Sequence, residues 1–265
     1  MEILGLHKPV VGMLHVPAFP ASPNNTLSLK DIIQWVINDA TALVNGGIDA
    51  MIIENYGDVP FHRERVPAHT ATFLTALGCA VKSHFESVPL GINVLRNDAV
   101  TALAVAAAVQ AEFIRVNIHT GARLTDQGII QGVASETLRY RKTLGVDVKI
   151  FADVNVKHSA PLAARPLADD VADTIERGLA DAIIVTGGAT GKKTPLDDLK
   201  SAKAAAGAIP VIAGSGVDVQ TIADVLKIAD AVIVGTALKK DRRTTNAIDA
   251  GTVRTLMSAA RIARA

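Results

Sequence analysis

Ionisable and amide side chains recur at one kind of place along this chain, at the ends of short aliphatic, β-branched runs. His15 follows Pro9–Leu14, Glu54 and Asn55 follow Ala50–Ile53, and Asn93 lies near the end of Pro89–Val94. Arg115 and Asn117 belong to Phe113–Asn117, with His119 just beyond; Asp153 follows Val148–Ala152, with Lys157 and His158 shortly after it. Groups of these types take up and hand over protons. Glu54 and Asp153 are candidate general acids or bases, each with the alternative of a structural carboxylate paired to Arg115 or Lys157. Lys157 can serve as a proton donor, an electrostatic clamp or, if desolvated, an imine-forming amine. His15 and His158 can be bases or ligands, and Arg115 is counted with these catalytic candidates. Asn55, Asn93, Asn117 and His119 are candidate substrate contacts. Glu54, Asp153 and a histidine could also hold a divalent ion such as Mg, Mn or Zn, although no compact motif of the His-x-x-x-His kind is present.

Three later runs end differently. Ala182–Val185 leads into Thr186-Gly187-Gly188, Pro210–Ala213 into Gly214-Ser215-Gly216, and Ala231–Val234 into Gly235-Thr236. A strand that ends in glycines at a helix start bares several backbone N–H groups at the positive end of the helix, which is a cradle for an anion, phosphate above all. The plain alternative is that these glycines only permit tight turns. Acids, bases and amides thus gather on the early runs, and small residues and bare backbone on the late ones. That asymmetry suits a substrate with a reactive end and a phosphate end.

One architecture puts all these positions on one rim. Eight strand-loop-helix units at a spacing of roughly 25–40 residues predict a (β/α)8 barrel, an α/β fold of about 250 residues whose active site lies at the carboxyl ends of the strands. The chain has 265 residues with no break in composition, so one TIM-barrel domain over 1–265 is expected. Helices are expected from about 68 to 86, within 123–144, over 167–177 and over 249–263. The long, charged loop from Asn55 to Pro67 is expected to cover the barrel mouth.

Hydrophobic residues make up 49% of the chain and aromatics only 3%, which predicts an aliphatic core of buried parallel strands. A net charge of +1 gives no reason to expect nucleic acid as a partner. No apolar run is long enough to span a bilayer, and Ala99–Ala111 reads as a buried helix. The single cysteine, Cys79, cannot form an internal disulfide, which fits a reducing cytosol and a cytoplasmic location. A homo-oligomer is expected.

Together the motifs resemble the BtpA/SgcQ family. They are Lys8-Pro-Val-Val-Gly-Met-Leu-His15, Ile53-Glu-Asn-Tyr-Gly-Asp-Val-Pro-Phe61, Pro89-Leu-Gly-Ile-Asn-Val-Leu-Arg-Asn-Asp98, Phe113-Ile-Arg-Val-Asn-Ile-His-Thr-Gly121, Ala152-Asp-Val-Asn-Val-Lys-His158, Ile184-Val-Thr-Gly187 and Gly214-Ser-Gly216. They run in order through nearly the whole chain. Tyr56 departs from the Phe expected there, which leaves the neighbouring acid untouched. The resemblance implies a barrel of the ribulose-phosphate-binding group. It brings no reaction with it, so the site residues rest on the strand-end pattern. Two functions are therefore expected to compete. One is an enzyme acting on a phosphorylated sugar or nucleoside-derived compound by lyase, isomerase or epimerase, or glycosidic-bond chemistry. The other, implied by the family's name, is a non-catalytic assembly factor at a membrane surface, linked to photosystem I biogenesis.

Overall fold

In the computed structural model, which describes residues 2–187 and 194–264, eight parallel strands close into a barrel. They are β1 (Val10–His15), β2 (Ala50–Glu54), β3 (Leu90–Asn93), β4 (Phe113–Val116), β5 (Lys149–Val154), β6 (Ala182–Val185), β7 (Val211–Ala213) and β8 (Ala231–Val234). β8 pairs back onto β1, so no sheet edge is left open. The helices between them are α1 (Leu29–Asn45), α2 (Ala68–His84), α3 (Ala99–Val109), α4 (Ala134–Leu144), α5 (Leu167–Ala172, continued by a π turn over Asp173–Arg177), α6 (Leu196–Ala206), α7 (Ile222–Leu226) and α8 (Ala250–Arg264). This is the (β/α)8 architecture that the repeated units predict.

The strands are apolar throughout because both of their faces are covered. Outward residues such as Val10, Leu14, Met51 and Ile53 join the helices in the main core. Inward residues such as Val11, Met13, Ile52, Phe151 and Ile184 meet inside the barrel. Each such side chain contributes about 1.5–3 kcal/mol by leaving water. Gly91 makes room at the centre: a Cβ there would stand 2.2 Å from Phe113 Cε2, and Phe113 stacks on Phe151 with ring centroids 4.6 Å apart. Ile3, from a small N-terminal hairpin (Glu2–Ile3 with Leu6–His7), joins the interior cluster.

Alternation along each strand then fixes the opposite end. Continuing the inward set upward places His15, Glu54, Asn93, Arg115 and Asp153 on β1 to β5. In register, His15 lies opposite Glu54, Glu54 opposite Asn93, and Asn93 opposite Arg115. The same rule ends β6, β7 and β8 in Thr186, Gly214 and Gly235.

Two regions depart from expectation. Only the second half of 123–144 is helical. Ala122–Thr125 and Gly128–Gln131 form an antiparallel hairpin, to which Ser159–Pro161 from the loop after β5 adds a third strand. Arg123 and Ile130 face inward there and Leu124 and Ile129 outward, a two-residue period too short to stand out in sequence. The loop 55–67 is a long loop but is tied down along its length. Asp58 Oδ1 accepts from Phe19 N (2.8 Å), Arg96 N donates to His62 O (3.2 Å), and Val66 N donates to Asp98 Oδ2 (2.9 Å). Cys79 is exposed on α2. Among the described residues, no helix is long and apolar enough to cross a membrane.

Candidate active site at the carboxyl ends of the strands

Four of the candidates hold one another. Arg115, 2% exposed, donates through Nε to Asp153 Oδ1 (3.0 Å) and through Nη2 to Asp153 Oδ2 (2.9 Å). Asn117 Nδ2 donates to the same Oδ2 (2.9 Å), and Asn93 Nδ2 donates to Asn117 Oδ1 (3.2 Å) and to the Arg115 carbonyl (3.0 Å). Both Asp153 oxygens are therefore committed across β3, β4 and β5. The partner of Asp153 is Arg115, not Lys157. A two-point guanidinium–carboxylate pair fixes the plane of the guanidinium as well as its charge.

Glu54, His15 and Lys157 are far less engaged. The Glu54 carboxylate accepts no hydrogen bond from the described residues; its nearest ion-pair partner is His15 Nε2, 3.9 Å from Oε1. Burial pushes the His15 pKa well below its ordinary value, and the charges of Lys239, Lys157 and Arg115 add to the effect, so the ring is neutral at neutral pH. Tyr56 packs edge-on against it at 4.9 Å. Lys157 is held by its main chain: its N–H donates to Thr186 Oγ1 (3.0 Å) and its carbonyl accepts from Arg96 Nη2 (2.8 Å). Burial and the neighbouring Arg115 charge lower the pKa of its ammonium.

Across the mouth, side chains are removed for a packing reason. A Cβ on Gly235 would lie 2.7 Å from His15 Cε1, and one on Gly214 would lie 2.4 Å from Ile184 Cγ2 and 2.9 Å from Thr186 Cγ2. Not every amide expected in the cradle is open. Gly187 N–H donates to Ser215 Oγ (2.6 Å), and Asp218 Oδ1 accepts from Gln220 N (3.0 Å) and Thr221 N (3.1 Å), capping its own turn. The described hydrogen bonds leave the N–H groups of Gly216, Val217, Thr236 and Ala237 unengaged. Gly216 has φ 66°, a backbone state that favours glycine. Gly188 lies outside the described residues.

The two sides share a cavity of about 470 Å³. Met13, His15, Arg115 and Lys157 line one wall; Gly214 to Asp218, Gly235 to Ala237 and Arg242 line the other. The BtpA family model matches residues 6–262.

The chain belongs to the BtpA family.

It is 46% identical over 243 residues to the photosystem I biogenesis protein BtpA of Synechocystis sp., covering 92% of this chain and 84% of that one. Among solved structures it resembles KGPDC from Streptococcus mutans (TM-score 0.61, 13% identity, 98% and 100% of the two chains). It also resembles N-(5'-phosphoribosyl)anthranilate isomerase from Pyrococcus furiosus (TM-score 0.59, 13% identity, 97% and 100%). At such identities the likeness is one of fold.

Within this BtpA-family barrel the remaining candidates scatter. Asn55 Oδ1 accepts from Leu95 N (2.7 Å), bracing the loop after β3, and its amide reaches Asp58. His119 is bonded to the Gly178 carbonyl (2.8 Å) at the end of the α5 π turn. His158 is exposed at φ 55°. None of the three lines the cavity, and neither does any residue of 55–67, so the expected lid is not over it. Glu54 and Asp153 also stay off its wall. Among the described residues, no group of three or more His, Cys, Asp or Glu side chains is placed to hold a metal ion, so the ligand set posed from sequence is not assembled. Sequence reasoning passed over Arg96 and Arg242. An Arg in the short loop after β3 was the available signal for Arg96, since charged residues past strand ends of this fold face the mouth.

Proposed function

We propose that this BtpA-family barrel is an enzyme acting on a phosphorylated sugar or nucleoside-derived compound by isomerase, epimerase or lyase chemistry. The observation that carries the reading is the shared cavity, with a neutral imidazole, a guanidinium and an amine on one wall and unengaged backbone N–H groups on the other. In this reading Gly216, Val217, Thr236 and Ala237 receive the phosphate and Arg242 flanks it. His15 takes up a proton at the reacting carbon. Arg115, held by Asp153 and Asn117, stabilises negative charge that develops on a carbonyl or alkoxide oxygen. Glu54 sits behind His15 and balances the imidazolium once it forms. The fold likeness to an isomerase whose name specifies a phosphoribosyl compound supports the substrate class.

The test is binding of inorganic phosphate and a panel of sugar phosphates, by calorimetry, to the parent and to Gly216→Asp. Aspartate tolerates this backbone state better than most residues, and its charge should weaken phosphate binding by about tenfold or more. Equal binding by the variant overturns the cradle.

A second reading is favoured by the name of the Synechocystis relative: an assembly factor for a photosynthetic complex. It predicts that no phosphorylated compound binds and that substitutions lining the cavity leave the protein's biological role intact.

A further inference from the structure

Lys157 differs from the other lysines that are buried or half-buried among the described residues. Lys8 donates to the Leu226 carbonyl, Lys82 to Glu112 (2.6 Å), Lys149 to Asp147 (2.9 Å), Lys203 to Asp230 (2.5 Å) and Lys239 to Asp39 (2.7 Å). For the Lys157 ammonium no hydrogen bond or ion pair is made with the described residues, although the side chain lines the cavity. An ammonium half-buried in a cavity without an acceptor keeps only part of its hydration, and such a group lowers the cost by giving up its proton. The segment is meanwhile fixed from both sides, by Thr186 of β6 and Arg96 after β3. A pinned backbone and an unpaired amine in a cavity are what a nucleophile needs.

We propose that Lys157 is a covalent nucleophile whose uncharged Nζ adds to the carbonyl carbon of a phosphorylated aldehyde or ketone bound in the cavity. The proposal rests on the phosphate reading above and narrows its substrate to carbonyl compounds. The nitrogen lone pair forms the N–C bond while the C=O π pair moves to oxygen. One proton passes from nitrogen to that oxygen, giving a neutral carbinolamine. Protonation of its hydroxyl releases water and leaves an iminium, so amine, carbonyl and one proton become iminium and water. The iminium then draws electrons from the adjacent carbon, whose proton His15 can accept. Burial first, then Arg115, lowers the amine's pKa; Glu54 and Asp153 oppose this, and Arg96 adds to it.

The probe is pyridoxal 5′-phosphate, an aldehyde that carries its own phosphate. Borohydride delivers hydride to the iminium carbon and fixes the adduct as a secondary amine, which peptide mass mapping locates. Lys200 and Lys227, exposed and paired with Asp197 and Asp224, are internal references. Lys157 should be modified about tenfold faster than either or more, since the cavity holds the aldehyde by its phosphate against an amine of lowered pKa. Inorganic phosphate should protect it. Lys157→Met, which keeps both main-chain hydrogen bonds, should bind phosphate and lose this adduct. If Lys157 stays unmodified while phosphate still binds, the imine is overturned and the phosphate reading stands. If pyridoxal without its phosphate modifies Lys157 equally fast and inorganic phosphate gives no protection, the phosphate reading falls and the amine assignment stands.

Discussion

The two halves of the barrel mouth are built on opposite principles. Along β1 to β5 the interior ends in large polar groups with divided roles. Asp153, Asn117 and Asn93 are tied up with Arg115 in one hydrogen-bonded group, while Arg115, His15 and Lys157 line the cavity. Along β6 to β8 the interior ends in Thr186, Gly214 and Gly235, and the wall is mostly backbone. The halves are not independent. Gly235 is small where His15 leans across, and Thr186 anchors the Lys157 segment by its hydroxyl. The emptiness of one half is space used by the side chains of the other.

The sharpest way to break this comparison is to ask whether wall and foundation do different work. His15→Gln should lower turnover on a sugar phosphate identified by binding by roughly 10²–10⁴-fold while leaving phosphate affinity unchanged. Asp153→Asn should act on the fold instead. It leaves the buried Arg115 charge uncompensated, a loss of about 3–5 kcal/mol in denaturant unfolding. If Asp153→Asn keeps full stability and loses turnover, Asp153 is the acid/base residue and the division between wall and foundation is wrong.

The interlock between the halves gives a smaller effect. Gly235→Ala adds a Cβ 2.7 Å from His15 Cε1 and 3.4 Å from Met13 Cβ, so the imidazole must move. The expected cost is about 1–3 kcal/mol, with turnover falling as His15 is displaced. An unchanged melting temperature and rate would separate the halves.

The smallest effect is in acid. The unfolded chain protonates His15 near 6.5, whereas the folded chain resists until well below that value. Over that window the unfolded state binds more protons, so stability present above about pH 6.5 is lost as pH falls. His119, also lowered by burial, contributes in the same direction. Melting followed from pH 7.5 down to 5 should slope less steeply in His15→Gln than in the parent. Equal slopes would mean that His15 takes up its proton over the same pH range in the folded and unfolded chains and is not held neutral by burial.

Much of the site was legible because barrel strands alternate. Once Val11, Met13 and Ile52 are taken as inward, His15 and Glu54 follow at the top by parity alone, and the glycines after β7 and β8 follow likewise. The short hairpin at 122–131 was not legible, because four-residue strands carry too little alternation to compete with the helix that follows. Nor was the release of the mouth by the loop 55–67. Its length and charge suggested a cover, but its Asp58 side chain accepts from the Phe19 backbone after β1, and its Val66 N–H donates to Asp98 after β3.

The sequence by itself determined the fold, the family and the list of polar groups at the rim, since these depend on local periodicity and on which residue ends each strand. Only the tertiary structure decided how those groups divide their partners. Arg115 takes Asp153, thirty-eight positions away, because the two strands are neighbours in the barrel. That choice leaves the Lys157 ammonium without an acceptor among the described residues and Glu54 off the cavity wall. Pairing is settled by distances of about 3 Å, which depend on strand register and rotamers across the closed barrel rather than on spacing along the chain.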